Sequence, residues 1–174
     1  VGFARRERFP EQRAVPGSRI PLLVDVFRWL HRRPSIAVNV ELKADGLPDD
    51  ETLLESYVRA VSDALAAAPG RSRVMVQSFE LRLVERLKRR HRNLRTAALF
   101  EGPDDFFGRA RAVCADGIGP AERLVDAPLA ARCRAENLLL VPWTVNDPGR
   151  WNELIAFGVH GIITDYPEAL LRGL

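Results

Sequence analysis

Ile36-Ala37-Val38-Asn39-Val40-Glu41-Leu42-Lys43 is the stretch that decides the fold. Alternate residues of a strand share a face. Ile36, Val38, Val40 and Leu42 therefore form an apolar row, and Ala37, Asn39, Glu41 and Lys43 form a second row that becomes charged toward its C-terminal end. In an open, doubly wound sheet helices cover both faces, and a charged row there is costly. In a barrel only the outer row meets helices, while the inner row rises into the polar mouth where active sites sit. The pattern favours the barrel.

Outward from this strand the same alternation recurs. Ile20–Leu30 has helical spacing with Pro21 in the first turn. Glu51–Ala68 is a second helix, opened by the loop Ala44–Asp50 and stopped by Pro69-Gly70. Strands follow over Arg73–Phe79, Arg95–Phe100, Asp116–Gly119, Leu138–Val145 and His160–Thr164. Their helices are Glu80–His91, a stretch near Asp104–Cys114, Ala127–Glu136, Pro148–Phe157 and Pro167–Leu171. Strands that are each followed by a helix predict a parallel sheet with crossover connections. The whole chain, residues 1–174, reads as a single α/β domain without a linker, and Val1–Ser18 reads as loop. No GxGxxG or GxxxxGK[ST] follows a strand, which weakens the nucleotide-binding alternative.

Composition narrows the function classes. With 47% hydrophobic residues and a net charge of only +3, the chain is not of the disordered class. Its apolar runs, such as Leu138–Trp143, fall short of the roughly 18–20 residues that span a bilayer, so no transmembrane segment is expected. Cys114 and Cys133 have neither disulfide-framework nor metal-ligand spacing and read as buried or partly buried thiols. The 26 basic residues exceed the 23 acidic ones by three, with clusters at Arg86–Arg92 and Ala4–Arg8. The first extends an amphipathic helix and reads as its solvated, cation-rich end. No aromatic residue interleaves to stack on bases, so no nucleic-acid partner is expected.

Glu41 and Lys43 carry the sharpest chemical signal. A carboxylate and an ammonium on one strand face can hold a divalent cation and a phosphate oxygen side by side; they can equally be a mutual ion pair at a strand end. Gln77 and Phe79 share a face at the end of the next strand, placed to hydrogen-bond a substrate oxygen and to wall a pocket. Trp143 offers an apolar surface with one donor. An N-cap for the helix opening at Pro167 is a sufficient role for Asp165. His31, His91 and His160 all fall away from strand C-termini, so none is a candidate general acid or base.

Taken together these segments resemble the glycerophosphodiester phosphodiesterase family. The likeness rests on Val38-Asn39-Val40-Glu41-Leu42-Lys43, Val76-Gln77-Ser78-Phe79-Glu80, and Trp143-Thr144-Val145-Asn146 followed by Gly158–Pro167. Arg19-Ile20-Pro21-Leu22-Leu23 looks like the family's Ile-Pro-Thr-Leu segment, so the resemblance runs from about Arg19 to the end. It implies a (β/α)8 TIM-type barrel that hydrolyses small-molecule glycerophosphodiesters to an alcohol and glycerol 3-phosphate with a divalent cation, Mg²⁺ or Ca²⁺. By the same resemblance Glu41 is a metal-ligand glutamate, Lys43 an active-site lysine, and Gln77, Phe79 and Trp143 lie near the substrate. The family opens with a His-Arg-Gly strand, a Glu-x-Asp strand and a His-Asp pair, and these residues contain none of them. The expectation is therefore a truncated barrel holding the third to eighth strands, inactive by itself. Two alternatives stay open: a non-catalytic βα-barrel remnant that acts as a binding module, and a phospholipase-type barrel using Phe106-Phe107 as a small exposed apolar surface.

Overall fold

The computed structural model describes residues 7, 13–44, 50–68 and 71–173. The loop over 45–49, the Pro69-Gly70 stop and most of the Ala4–Arg8 cluster lie outside the described residues. In chain order the elements are α1 (Leu23–His31), β1 (Val38–Glu41), α2 (Glu51–Ala66), β2 (Val74–Ser78), α3 (Leu81–Arg90), β3 (Arg95–Phe100) and α4 (Phe106–Ala112). Then come β4 (Gly117–Pro120), α5 (Ala127–Ala135), β5 (Leu139–Leu140), α6 (Pro148–Phe157) and α7 (Pro167–Arg172).

All strands are parallel, in the unbroken order β1-β2-β3-β4-β5. A doubly wound sheet reverses its strand order at a switch point, and this one does not. Crossovers of one hand put the helices on one face. The outward rows accordingly carry the core: Val74, Val76, Ala98, Ile118 and Leu140 are buried, packed with Phe27 and Leu30 of α1, Leu54, Val58 and Leu65 of α2, Leu83 and Leu87 of α3, and Leu154 of α6. Each of these large side chains contributes about 1.5–3 kcal/mol by leaving water. On the inward side space is short. A Cβ on Gly119 would lie 2.6 Å from Leu99 Cδ2 and 3.2 Å from Val141 O, so any larger residue here would make Leu99 shift.

Aspartates open four of the helices. Asp50 accepts from the Thr52 and Leu53 amides, Asp105 from Gly108, Asp126 from Leu129 and Asp147 from Arg150, satisfying N–H groups that no helical carbonyl reaches. α6 ends at Gly158, whose φ of 76° is the left-handed conformation that glycine adopts at no steric cost.

Several expectations are corrected. α1 starts at Leu23, after Pro21, with Leu22 as N-cap. β1 is half the expected length, and Ile36 stands outside the ladder and is exposed. β5 ends at Leu140 instead of continuing to Val145, yet the pairing with β4 runs on past it: Val141 N donates to Ile118 O, Trp143 N to Pro120 O and Glu122 N to Trp143 O, with an isolated bridge between Trp143 and Ala121. His160–Thr164 is not a regular strand, yet it runs beside β5: His160 N donates to Leu140 O, Ile163 N to Pro142 O, and Val145 N to Ile163 O. The Arg86–Arg92 end of α3 is not merely solvated. Arg86 pairs with Glu51 and Glu55, Arg90 with Glu55, and Lys88 with Asp116, tying α3 to α2 and to the start of β4. Phe106-Phe107 is no exposed surface: Phe107 is buried, and Phe106 packs on Phe100 with ring centroids 4.9 Å apart. Cys133 is buried, whereas Cys114 is exposed.

Candidate active site

The C-terminal ends of β1, β2 and β3, with Trp143 beyond β5, surround an open cleft of about 570 Å³. Its lining is Glu41, Leu42, Lys43, Ala44, Phe79, Glu80, Glu101 and Trp143. Glu41 and Lys43 project together, as their two-residue spacing requires, and Lys43 Nζ donates to Glu41 Oε1 at 2.8 Å. Lys43 is 71% exposed, so the pair is accessible to solute and contributes little to stability.

Phe79 and Trp143 meet edge to face, with centroids 5.3 Å apart and planes at 88°. The Trp143 indole Nε1 donates to Gly119 O at 2.7 Å, which fixes the ring against the inner wall. The following peptide, Trp143–Thr144, is cis. Phe79 remains 43% exposed and supplies the cleft's apolar surface.

Gln77 does not line this cleft. It is buried below the mouth, where its Oε1 accepts from Asn39 Nδ2 at 2.9 Å. Ser78 points outward: its Oγ donates to Leu42 O at 2.7 Å and accepts from Glu80 N at 3.0 Å, clipping β1 to the start of α3. Asp165 is not the cap of α7, whose N-cap is Tyr166 without a side-chain bond. Instead Asp165 accepts from Asn146 Nδ2, and Asn146 Oδ1 accepts from Thr164 Oγ1 and Asp165 N.

Glu80 and Glu101 were missed as cleft residues. Glu80 is the N-cap of α3, its carboxylate engaged by the Arg82 amide and guanidinium; the hydrogen bond from Arg82 is the main reason its pKa lies below the usual glutamate value. Glu101 follows β3 directly and continues the inward row of Ala97 and Leu99, so strand alternation carried one step past Phe100 would have found it. None of the three histidines lines the cleft: His31 ends α1, His91 follows α3, and His160 Nδ1 accepts from the amide of Leu140, the last residue of β5.

A divalent cation needs about six or more oxygen ligands, part of them water. Here Glu41 is held by Lys43 and Glu80 by Arg82, and among the described residues no three His, Cys, Asp or Glu side chains converge. The residues present do not by themselves fit a cation. A second hollow of about 400 Å³, lined by Leu65, Arg90, His91 and Leu94 among others, lies at the opposite end of the strands from the barrel mouth.

Comparison with known proteins agrees with the architecture. The chain is 28% identical over 157 residues to the glycerophosphodiester phosphodiesterase of Caldanaerobacter subterraneus subsp. tengcongensis, covering 90% of this chain and 62% of that protein. It is 26% identical over 171 residues to a glycerophosphodiester phosphodiesterase of Bacillus subtilis, covering 93% and 57%. A crystal structure from Silicibacter pomeroyi, assigned to the glycerophosphoryl diester phosphodiesterases, superposes with a TM-score of 0.86 at 25% identity over 96% of this chain and 60% of that one. The Oleispira antarctica phosphodiesterase, in complex with sn-glycerol-3-phosphate, shares the fold with a TM-score of 0.73 at 19% identity over 87% and 60%. The chain spans between 57% and 64% of the length of its curated relatives. The family model for glycerophosphoryl diester phosphodiesterases matches residues 4–169, and the chain belongs to that family.

Proposed function

We propose that this chain forms part of the active site of an enzyme that hydrolyses glycerophosphodiesters to an alcohol and sn-glycerol 3-phosphate. The observation that carries the reading is Glu41 and Lys43 side by side at the mouth of a parallel βα wall, in a cleft backed by Phe79 and Trp143. Water attacks phosphorus, the P–O bond to the departing alcohol breaks, and that alcohol takes up a proton. Lys43 Nζ, exposed and mobile on its four-carbon stem, stabilises the charge that builds on a phosphoryl oxygen. Phe79 and Trp143 hold the carbon skeleton of the diester. Gln77 orients Asn39 and, through it, the inner face below the cleft.

The family resemblance implies a divalent cation, Mg²⁺ or Ca²⁺. Glu41 would supply one oxygen ligand and the others would come from outside these residues. The same holds for a proton-transfer histidine, since the three present are placed elsewhere. The 174 residues alone are therefore expected to be inactive. The test compares the purified chain with a fusion that places the first βα units of the Caldanaerobacter relative ahead of Val1, assaying glycerol 3-phosphate release from glycerophosphocholine. The fusion should be active, lose activity with chelator and regain it with Mg²⁺ or Ca²⁺. E41Q or K43M should lower its kcat by about 100-fold or more. A folded, active fusion indifferent to both substitutions would remove the site from this cleft, and hydrolysis by the chain alone would refute its expected inactivity.

A further inference from the structure

We infer that Ser78 is a positioning residue for the cleft, holding the Leu42–Lys43 peptide so that the Lys43 ammonium meets a phosphoryl oxygen; the inference rests on the phosphodiester reading above. Ser78 is out of place in its row. Val74, Val76 and Ser78 share the outward face of β2, and all three are buried, Ser78 completely. A hydroxyl in apolar surroundings is costly unless it is hydrogen-bonded. Both of its partners here are main-chain atoms of cleft segments, Leu42 O and Glu80 N.

The Lys43 side chain is 71% exposed, so its aim is set largely by the main chain it leaves. Leu42 N still donates to Gln77 O at 2.8 Å, one residue past the end of β1. In a continuing parallel ladder the next donor, given to Leu42 O, would be the Phe79 amide. β2 has ended by then and the chain is turning into α3. The Ser78 hydroxyl gives its proton to Leu42 O at 2.7 Å. That oxygen belongs to the peptide joining Leu42 to Lys43, so the bond fixes the plane from which the lysine departs. Tyr57 OH reaches Lys43 O only at 3.4 Å, a longer and weaker contact. Ser78 Oγ also accepts from Glu80 N at 3.0 Å, which strengthens its own donation. One buried hydroxyl thereby sets the lysine's peptide against the Phe79–Glu80 peptide, and with it the cation against the apolar wall.

The test titrates sn-glycerol 3-phosphate into the full 174-residue chain and follows the Lys43 backbone amide resonance. S78A should raise the Kd about tenfold. S78T keeps the donor but crowds a site with no exposed surface, so it should unfold at a lower temperature than the parent and still bind like it. K88M, which breaks the ion pair to Asp116 at the other end of α3, should also lose stability and keep the parent Kd. A merely structural serine gives a different pattern, with affinity falling in step with stability across all three variants. If alanine prevents folding, S78C fills the same space with a weaker donor and reports in its place. Parent-like affinity in S78A, or in S78C where that replaces it, overturns the inference, as does affinity that simply tracks stability. The underlying reading is judged by K43M. If the parent binds and K43M does not, while S78A binds like the parent, the phosphodiester site stands and Ser78 has no part in aiming it. If sn-glycerol 3-phosphate leaves the parent unperturbed, or K43M binds as tightly as the parent, the phosphodiester reading falls and takes the inference with it.

Discussion

Lys43 and Glu41 make a 2.8 Å ion pair that does little for stability, because both ends meet water. K43M should shift the urea midpoint by less than about 1 kcal/mol of unfolding free energy, which separates its functional role from a structural one. Gly119 is the reverse case. G119A places a methyl 2.6 Å from Leu99 Cδ2 and should cost about 1–3 kcal/mol, measured by urea denaturation, with Trp143 fluorescence shifting as its hydrogen-bond acceptor moves. Burial, and next the nearby Glu136 carboxylate, push the Cys133 thiol up to about 11. In native protein at pH 8, a thiol reagent should therefore titrate Cys114 rapidly and Cys133 only after denaturation. The linked effect on stability has a definite sign. The unfolded thiol ionises near 9.0 while the folded one keeps its proton, so stability falls as pH rises from about 9 to about 11.

At the scale of elements, α3 is held at both ends by side chains that the sequence patterning left unassigned. At its start, Ser78 Oγ bridges Leu42 O and Glu80 N, and S78A should cost about 1–3 kcal/mol by leaving those groups short of a partner. Glu80 caps the helix, with its carboxyl held below the usual range by Arg82. Its contribution is present above the ordinary glutamate pKa and is lost as pH falls through the lowered folded value; E80Q should flatten that part of the acid-denaturation profile. At the other end, Lys88 Nζ donates to both oxygens of Asp116 at 2.7 Å, and Asp116 also accepts from Thr96 N. K88M should loosen the β3–β4 junction, seen as faster amide exchange at Thr96.

For the whole molecule, β1 is an end strand of the five-stranded sheet among the described residues, and the segment leading into it exposes Ile20, Leu22, Trp29 and Ile36. An edge strand with apolar neighbours is a template for pairing with another chain. The 174-residue chain should therefore show a weight-average mass that rises with concentration in sedimentation. I36K combined with L22K should suppress the rise while preserving the helical circular dichroism signal.

Strand and helix alternation and the shared face of Glu41 and Lys43 were legible in the residues, because side-chain periodicity depends only on local backbone geometry. Gln77 shows where that legibility ends: its row was correct, but only the packed barrel reveals that Asn39 takes its Oε1 below the mouth. The same holds for Glu101 as a cleft residue, for the end of β5 at Leu140, and for the arginines of α3 reaching Glu51 and Glu55. Each depends on how far strands are staggered and which elements become neighbours, and those are properties of three-dimensional closure that no single segment encodes.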